Sequence, residues 1–393
     1  MAGSNTGRLG KLALLCGSLL VCFVALEFIV FRWILVPDDL LPNVTINDVV
    51  RYMPKTEAVF RHPDGRNSLV TINADGWNAT KPKYQIDKQA DRLRVAVIGD
   101  SYVHASFVDV DKAFPEVLER QLQSRGLKSE VYRFGMDGAP LSQYLQVLRN
   151  EVLTYRPDIV VVQLIHNDFD EAYRLMRTRY TSSFLKLSSD QNGNIIEIPP
   201  SPFRPGLADF MRSFATFRYL YYETNLYLTL KSYISRYFWG GNEEYRPEFI
   251  SSAVDIRNLQ EPEKLKLYTR YIFEQLQQLS RTHGFKLVLT MDGVRDAIYS
   301  GKPITEYEVA KLNGIAGEMA GSLGIPFIDL HATFAEHYDA NKQRFEFAYD
   351  WHWNELGNQV VGSKIADVIA NDSGLLSAAQ PTLGKRTQAV ELR

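Results

Sequence analysis

The sequence predicts an α/β protein whose core is a parallel sheet covered by helices on both faces. From Leu93 onward, short apolar runs typical of buried parallel strands alternate with segments of helical spacing. A long apolar stretch near the N-terminus, Leu12–Val36, predicts a membrane helix in front of this core. The interval 173–260 does not follow the alternation and is interpreted as a helical insertion.

Composition excludes several classes of protein. The chain has 393 residues, of which 45% are hydrophobic and 23% charged, so it is neither a disordered chain nor a collagen-like fibre. The formal net charge of −2 provides no basic field, and we expect no nucleic-acid partner. Both cysteines, Cys16 and Cys22, lie in the N-terminal apolar stretch, so the remainder has neither a disulfide framework nor a thiolate metal site.

The stretch Leu12–Val36 is apolar except for Glu27 and Arg32. As a helix it would span roughly 37 Å, enough to cross a hydrocarbon core of about 30 Å. A cleaved signal peptide would have a shorter apolar core and a small-x-small site, and a buried core helix is the other alternative. We interpret the stretch as an uncleaved anchor, with residues 1–37 forming a cytoplasmic tail and a transmembrane helix.

Charged residues on the two sides of the anchor predict its orientation. Arg8 and Lys11 precede it, whereas Asp38 and Asp39 follow it. Because positive residues favour the cytoplasmic side, the rest of the chain is expected outside the cytoplasm, on the periplasmic face of the inner membrane in a Gram-negative host.

Downstream of the anchor, residues 38–92 read as a polar lead-in with turn signals and one edge strand, Leu69–Ile72. The main domain is expected over residues 93–370, and residues 371–393 form a tail. The aromatic-rich part of the insertion, Phe217–Trp239, is interpreted as a small extra core, with a platform for sugar rings or a segment at the membrane surface as alternatives. The expected strands of this domain are Leu93–Ile98, Val131–Phe134, Ile159–Ile165, Phe285–Thr290 and Ile325–Leu330. Helices are expected after Phe114, over Leu141–Leu153, over Glu261–His283 and around Leu356–Ile369 at the end of the domain.

Ser101 is the first candidate functional residue. It ends the motif Gly99-Asp100-Ser101 directly after a buried strand, where a hydroxyl would lie at the carboxyl edge of the sheet. Aspartate and serine also favour helix N-caps, so a simple strand-to-helix cap is the alternative. The motif lacks the repeated glycines of a dinucleotide-binding loop.

Asp350 and His352 form the second candidate site, just before the last helix. In an extended segment, residues two apart point the same way, so the carboxylate could orient the imidazole. A surface pair or two metal ligands are alternatives, although further ligands at metal spacing are missing. Asn167, after the strand Ile159–Ile165, is the third candidate, either an oxyanion donor or a turn residue.

Taken in order, these blocks resemble the SGNH, or GDSL-type, hydrolase superfamily over roughly Leu93–Ala370. The resemblance implies a flavodoxin-like three-layer α/β/α sandwich with Ser101 as nucleophile, His352 as base, Asp350 as the orienting acid, and Gly138 and Asn167 as oxyanion donors. The family more often has D-x-x-H, a place held here by Tyr349, and Ile165 replaces the glycine of G-x-N-D. Gly135 is a rival to Gly138. The anchor with the Val70–Gly76 turn resembles exported bacterial members.

The resemblance implies a serine esterase that acts through an acyl-enzyme, with no cofactor and no metal. Its partner would be an ester-bearing small molecule or polysaccharide, and its membrane contact the N-terminal helix; the sequence identifies no protein partner. Three functions remain open: a carbohydrate O-acyl or O-acetyl esterase, an O-acyltransferase that modifies an envelope polysaccharide, and a non-catalytic carbohydrate-binding relative. Retention of Ser101, Asp350 and His352 counts against the last.

Overall fold

The structure, a computed structural model, describes residues 4–173, 180–223 and 262–377. These residues fall into two compact units. The smaller comprises residues 4–40, 58–61 and 204–223, and the larger comprises residues 41–57, 62–173, 180–203 and 262–377.

A five-stranded parallel sheet forms the centre of the larger unit, as the apolar runs predict. Its strands are β5 (Leu93–Gly99), β6 (Ser129–Gly135), β7 (Ile159–Leu164), β10 (Lys286–Met291) and β11 (Phe327–Asp329). They lie in the order β11-β10-β7-β5-β6 with every pair parallel. The strand β5, first of the five in the sequence, is therefore flanked by β6 and β7, and the carboxyl ends of these parallel strands lie at one edge of the sheet.

Helices cover both faces of this sheet, which confirms the predicted α/β class. On one face, α3 (Phe114–Ser124) packs against α12 (Glu355–Asn371), and their apolar residues share a core with Val95, Val97 and Val161. On the other, α4 (Leu141–Asn150) packs against α8 (Pro262–His283), which contacts α10 (Ala310–Leu323). The remaining helices of this unit are α2 (Ser101–His104), α5 (Asp168–Glu171), α9 (Arg295–Ser300), α11 (Leu330–Asn341) and α13 (Ser373–Leu376).

The lead-in contains more strand than its polar composition predicts. Four short strands are formed: β1 (Asn43–Ile46), β2 (Val49–Tyr52), β3 (Glu57–Arg61) and β4 (Asn67–Thr71). Val70, Ile72 and Trp77 are fully buried, although few apolar residues surround them in the sequence. The lead-in thus contributes to the packed interior, where the Trp77 ring meets Phe134 on β6 with centroids 5.3 Å apart.

The described part of the predicted insertion is only partly helical. It opens with an antiparallel hairpin of β8 (Lys186–Ser189) and β9 (Ile195–Ile198). Gly193 has φ +82°, a conformation that glycine adopts at little cost, and Asp190 accepts backbone hydrogen bonds across the turn. The short helices α6 (Leu207–Arg212) and α7 (Ala215–Arg218) follow and belong to the smaller unit, whereas Phe217–Trp239 lies mostly outside the described residues.

The N-terminal apolar stretch is helical. Helix α1 (Ser4–Ala25) continues as wider π-helical turns over Leu26–Ile34. The span Gly10–Ile34 is long and apolar enough to cross a membrane and is mostly exposed, unlike the core helix of a soluble protein. By length and composition it is either a membrane anchor or a signal sequence.

Candidate active site

Ser101 follows a tight turn at the carboxyl end of β5. Gly99 is the last residue of the strand, and a Cβ there would come within 2.4 Å of the Val103 side chain. Asp100 caps α2 by accepting a hydrogen bond from the Tyr102 backbone N–H at 2.9 Å. The motif is therefore a strand-to-helix cap, and it also places a half-buried serine hydroxyl at the edge of the sheet.

His352 meets the Ser101 hydroxyl across 251 residues of sequence. Its Nε2 lies 2.7 Å from Ser101 Oγ, a distance at which the hydroxyl donates to a neutral imidazole. The Nδ1 atom lies 2.5 Å from Asp350 Oδ1, which also accepts the His352 backbone N–H at 2.7 Å. Both residues lie on β13 (Asp350–Trp353), which pairs with β12 (Glu346–Phe347). The three groups form one continuous hydrogen-bonded chain.

Two aromatic rings flank the His352 imidazole. The Phe107 ring stacks on it with centroids 4.6 Å apart and an interplanar angle of 14°. The Tyr102 ring lies 4.8 Å away at 41°. With Asp350 bound to Nδ1, these contacts restrict rotation of the imidazole and keep Nε2 directed at Ser101.

Charge around the imidazole favours its protonated form. Burial opposes a charged His352, but the hydrogen bond and charge of Asp350, with smaller contributions from Asp100 and Asp137, outweigh burial and raise the pKa of His352. Burial also raises the pKa of Asp100 to about 6, and the Tyr102 N–H and the charge of His352 only partly offset it. A base with a raised pKa accepts the serine proton more readily than an ordinary imidazole.

Gly138 and Asn167 follow the two strands that flank β5. Gly99 is paired with Gly135 at the end of β6, and Ile98 is paired with Val162 on β7. Asn167, which is part-exposed, comes three residues after β7 and immediately before α5, as Gly138 comes three residues after β6. The adjacency of the three strands brings both loops to the edge that carries Ser101.

Gly135 and Gly138 require glycine for different reasons. A Cβ at Gly135 would lie 2.1 Å from the His104 backbone nitrogen, so close packing of β6 against α2 accounts for this glycine. Gly138 has no atom within 4 Å of a built Cβ but has φ +63°, the left-handed region that favours glycine. The left-handed backbone, and not close packing, accounts for glycine at position 138.

A buried network behind the histidine was not predicted from the sequence. Arg295 is fully buried, forms ion pairs with Asp292 at 3.2 Å and Glu346 at 3.0 Å, and donates to the Tyr102 hydroxyl at 2.9 Å. Tyr102 in turn donates to the Trp351 carbonyl at 3.0 Å, between Asp350 and His352. The network ties α2 to the histidine segment. The only sign of this network in the sequence is the single charged residue Arg295 at the start of a short helix, and a charged residue in that position is usually exposed.

The side chains of the described residues were compared with the ligand groups that hold metal ions in proteins. Within 4–173, 180–223 and 262–377, no group of three or more His, Cys, Asp or Glu side chains is arranged to hold a metal ion. The His352 imidazole lies between Ser101 and Asp350 and contacts both through its two ring nitrogens.

The sequence profile of the family described as GDSL-like Lipase/Acylhydrolase matches residues 95–365, which include most of β5, the loops after β5, β6 and β7, and the histidine segment. The chain belongs to this family. A GDSL-like lipase/acylhydrolase is a hydrolase that acts on ester bonds, and the parallel sheet with helices on both faces agrees with the fold of the family.

Solved structures resemble this family member at low identity. An acetyl xylan esterase is 13% identical, with 70% of this chain and 100% of that chain covered and a TM-score of 0.39. A lipase/acylhydrolase from Enterococcus faecalis is 17% identical, with 71% and 95% covered and a TM-score of 0.37. A lipase from a goat rumen metagenome is 11% identical, with 72% and 99% covered and a TM-score of 0.40. No curated protein is significantly similar to the chain in sequence.

Proposed function

We propose that this family member is a serine esterase in which Ser101, His352 and Asp350 act as a triad. The observation that carries the proposal is the hydrogen-bonded chain of 2.7 Å from Ser101 Oγ to His352 Nε2 and 2.5 Å from Nδ1 to Asp350. His352 takes the serine proton as Oγ attacks the ester carbonyl, and then protonates the leaving alkoxide. Water, activated by the same imidazole, hydrolyses the acyl-enzyme.

The backbone N–H groups of Ser101 and Gly138 and the side-chain amide of Asn167 would stabilise the oxyanion of the tetrahedral intermediate. All three follow the adjacent strands β5, β6 and β7. Donors fixed before the reaction stabilise developing charge without reorganising, which makes this contribution large.

The alcohol part of the ester is proposed to be a carbohydrate. Trp351 is 36% exposed and its ring centroid lies 5.9 Å from that of His352, so an apolar ring face is present beside the imidazole. Sugar rings pack their C–H faces on such aromatic surfaces. Faster acyl release from an acetylated oligosaccharide than from ethyl acetate, which also has an alkoxide leaving group, would support this class, and the reverse order would contradict it.

Transfer to a sugar hydroxyl instead of water is the alternative reaction of the same acyl-enzyme. Incubation with an acetylated donor and an unacetylated oligosaccharide separates the two: free acetate as the main product indicates an esterase, and acetylated acceptor indicates a transferase.

A fluorophosphonate probe tests the proposed nucleophile. The probe mimics the tetrahedral intermediate and reacts with an activated serine, so we expect one adduct, located on Ser101 by peptide mass spectrometry. Labelling should be lost in Ser101→Ala and persist in Ser124→Ala, a matched change at an exposed helical serine. An adduct that survives Ser101→Ala would remove Ser101 from the mechanism.

Replacing Asn167 by alanine is expected to lower kcat by roughly 10²–10³-fold, the cost of one oxyanion donor. Thermal unfolding should change little, because Asn167 is only part-buried. Asn341→Ala, at the exposed end of α11, serves as the control. If Asn167→Ala unfolded at lower temperature while its kcat stayed at the wild-type value, the residue would be a turn residue and not an oxyanion donor.

The N-terminal helix is proposed to be an uncleaved anchor that holds the esterase outside the cytoplasm. The support is the exposed apolar span Gly10–Ile34 with Lys11 at its start and Asp38 and Asp39 beyond its end. A C-terminal alkaline phosphatase fusion should be active in bacteria. An inactive phosphatase with an active cytoplasmic reporter at the same position would reverse the orientation.

A further inference from the structure

The carboxylate of Glu27 makes an unusual contact inside the smaller unit. Glu27 lies within the apolar span Gly10–Ile34, yet its side chain is covered, with 4% of the residue exposed. Its Oε1 accepts the Ala215 backbone N–H and its Oε2 accepts that of Thr216, each at 2.9 Å. These are the first residues of α7. The one acidic residue of the span is therefore satisfied by a segment almost 190 residues later in the chain.

Two aromatic contacts define how this segment lies along the span. The Phe214 ring meets Phe23 with centroids 5.7 Å apart, and Tyr219 meets Phe31 at 4.7 Å. Residue numbers increase together in the two pairs, so the segment runs parallel to the helix, from its middle towards its outer end. At about 1.5 Å per residue Phe23 lies about 20 Å from Gly10, which is within a hydrocarbon core of about 30 Å.

Helix α6, which ends just before Phe214, exposes apolar side chains and covers charged ones, the opposite of a helix in water. Leu207 and Phe210 are 77% and 60% exposed, and Met211 is exposed as well. The charged side chains of Asp209 and Arg212 are instead largely covered. A helix that faces water buries its apolar face and exposes its charges. The reversed pattern is expected of a surface in contact with lipid.

Several charged and backbone polar groups of this segment are paired, as a low-dielectric environment favours. Asp209 accepts the Gly206 N–H at 2.9 Å at the start of α6, and Glu27 satisfies the first two N–H groups of α7. Arg218 extends its guanidinium to the Asp38 carbonyl at 3.0 Å, beyond the apolar span. Its charge thus reaches the expected membrane surface while its aliphatic part stays alongside the helix.

We propose that residues 207–219, here named the arm, dock into the membrane beside the anchor, with lipid acyl chains against Leu207, Phe210 and Met211 and with Glu27 as the contact that holds the arm in place. Lipid is favoured over a protein partner because the arm packs along a span whose own side chains, such as Phe28 and Ile29, are exposed and apolar. The proposal depends on the anchor remaining uncleaved and does not depend on the chemistry at Ser101.

Site-directed fluorescence quenching tests the arm in the full chain reconstituted in phosphatidylcholine nanodiscs. Phe210→Cys, in a background of Cys16→Ser and Cys22→Ser, is labelled with bimane. A nitroxide near the end of the lipid acyl chain should quench it strongly, and aqueous iodide should not. Cys22, retained in a Cys16→Ser chain, is the positive control within the span. Ile86→Cys, 55% exposed in the larger unit, is the matched apolar control and should be quenched by iodide only.

A second variant tests Glu27. In Glu27→Leu the arm loses its two carboxylate acceptors, and the Phe210→Cys label is expected to lose most of its lipid quenching and become accessible to iodide. Lipid quenching unchanged in Glu27→Leu would remove Glu27 from the proposal. Iodide quenching of Phe210→Cys in the Glu27 chain, or shielding from both quenchers as a protein partner would cause, would overturn the docking of the arm. If lipid did not quench the label at Cys22, the anchor would not lie in the membrane, and the docking of the arm would likewise be overturned.

Discussion

Replacing His352 by alanine is expected to lower kcat by about 10⁶-fold, because removal of the base of a serine triad costs nearly as much as removal of the whole triad. The reason lies in the geometry at Ser101: Nε2, at 2.7 Å, is the group positioned to take the hydroxyl proton. Without it the attacking group is an alcohol at its ordinary pKa. The measurement is the rate at which an activated ester releases its alcohol in a single turnover, together with the rate of the later release of the acyl group from the enzyme.

The control for this variant is His337→Ala, at an exposed position on α11. Alanine at position 352 also removes the ring that stacks on Phe107, so the folded state should be checked by near-UV circular dichroism. Loss of activity in a folded protein supports the role of base. Turnover within tenfold of the wild type would show that another group takes the serine proton and that the hydrogen-bonded chain is structural.

Replacing Asp350 by asparagine is expected to lower kcat by up to about 10⁴-fold, the loss seen when the carboxylate of a serine triad becomes an amide. The carboxylate accepts the Nδ1 proton at 2.5 Å and thereby keeps Nε2 free to accept from Ser101. An amide nitrogen at the same place would donate to Nδ1 and select the wrong tautomer. This test is informative because the spacing Asp350-x-His352 departs from the usual spacing of the family.

The pH profile separates this electrostatic role from a purely structural one. Asp350 raises the pKa of His352, and the proposed mechanism requires the neutral imidazole, so wild-type kcat/KM should fall as pH decreases through that raised pKa. In Asp350→Asn this acid limb should move to lower pH, because the favourable interaction with the imidazolium is lost. Asp339→Asn, an exposed matched change on α11, should leave the profile in place. An unchanged acid limb in Asp350→Asn would mean that Asp350 does not set the pKa.

The buried network behind His352 gives these two predictions a common structural basis. Arg295 connects Tyr102 on α2 with Asp292 and Glu346, and Tyr102 holds the Trp351 carbonyl. The carboxylates raise the pKa of Arg295 although burial opposes its charge, so the guanidinium remains charged and paired. Buried charges that are paired and hydrogen-bonded hold their neighbours in one geometry, which a hydrogen-bonded triad requires.

How much of this protein could be derived from sequence depends on the range of the interactions involved. A strand such as Ile159–Leu164 was predictable because a buried parallel strand is a nearly continuous apolar run, which can be recognised without knowledge of its partners. The end of α3 was equally local: Gly126, with φ +82°, adopts the left-handed conformation that closes a helix. The candidate residues Ser101, Asn167 and His352 were named from strand ends and motif order alone.

Only the tertiary structure decided which distant groups meet. The 2.7 Å contact of His352 with Ser101, the packing that requires glycine at Gly135, and the ion pairs of Arg295 join segments separated by up to 251 residues, which sequence periodicity does not encode. The same holds for Glu27, an isolated charge in an apolar span whose backbone partners lie in α7. Periodicity reports which side of an element is buried, whereas the identity of the partner follows from the path of the whole chain.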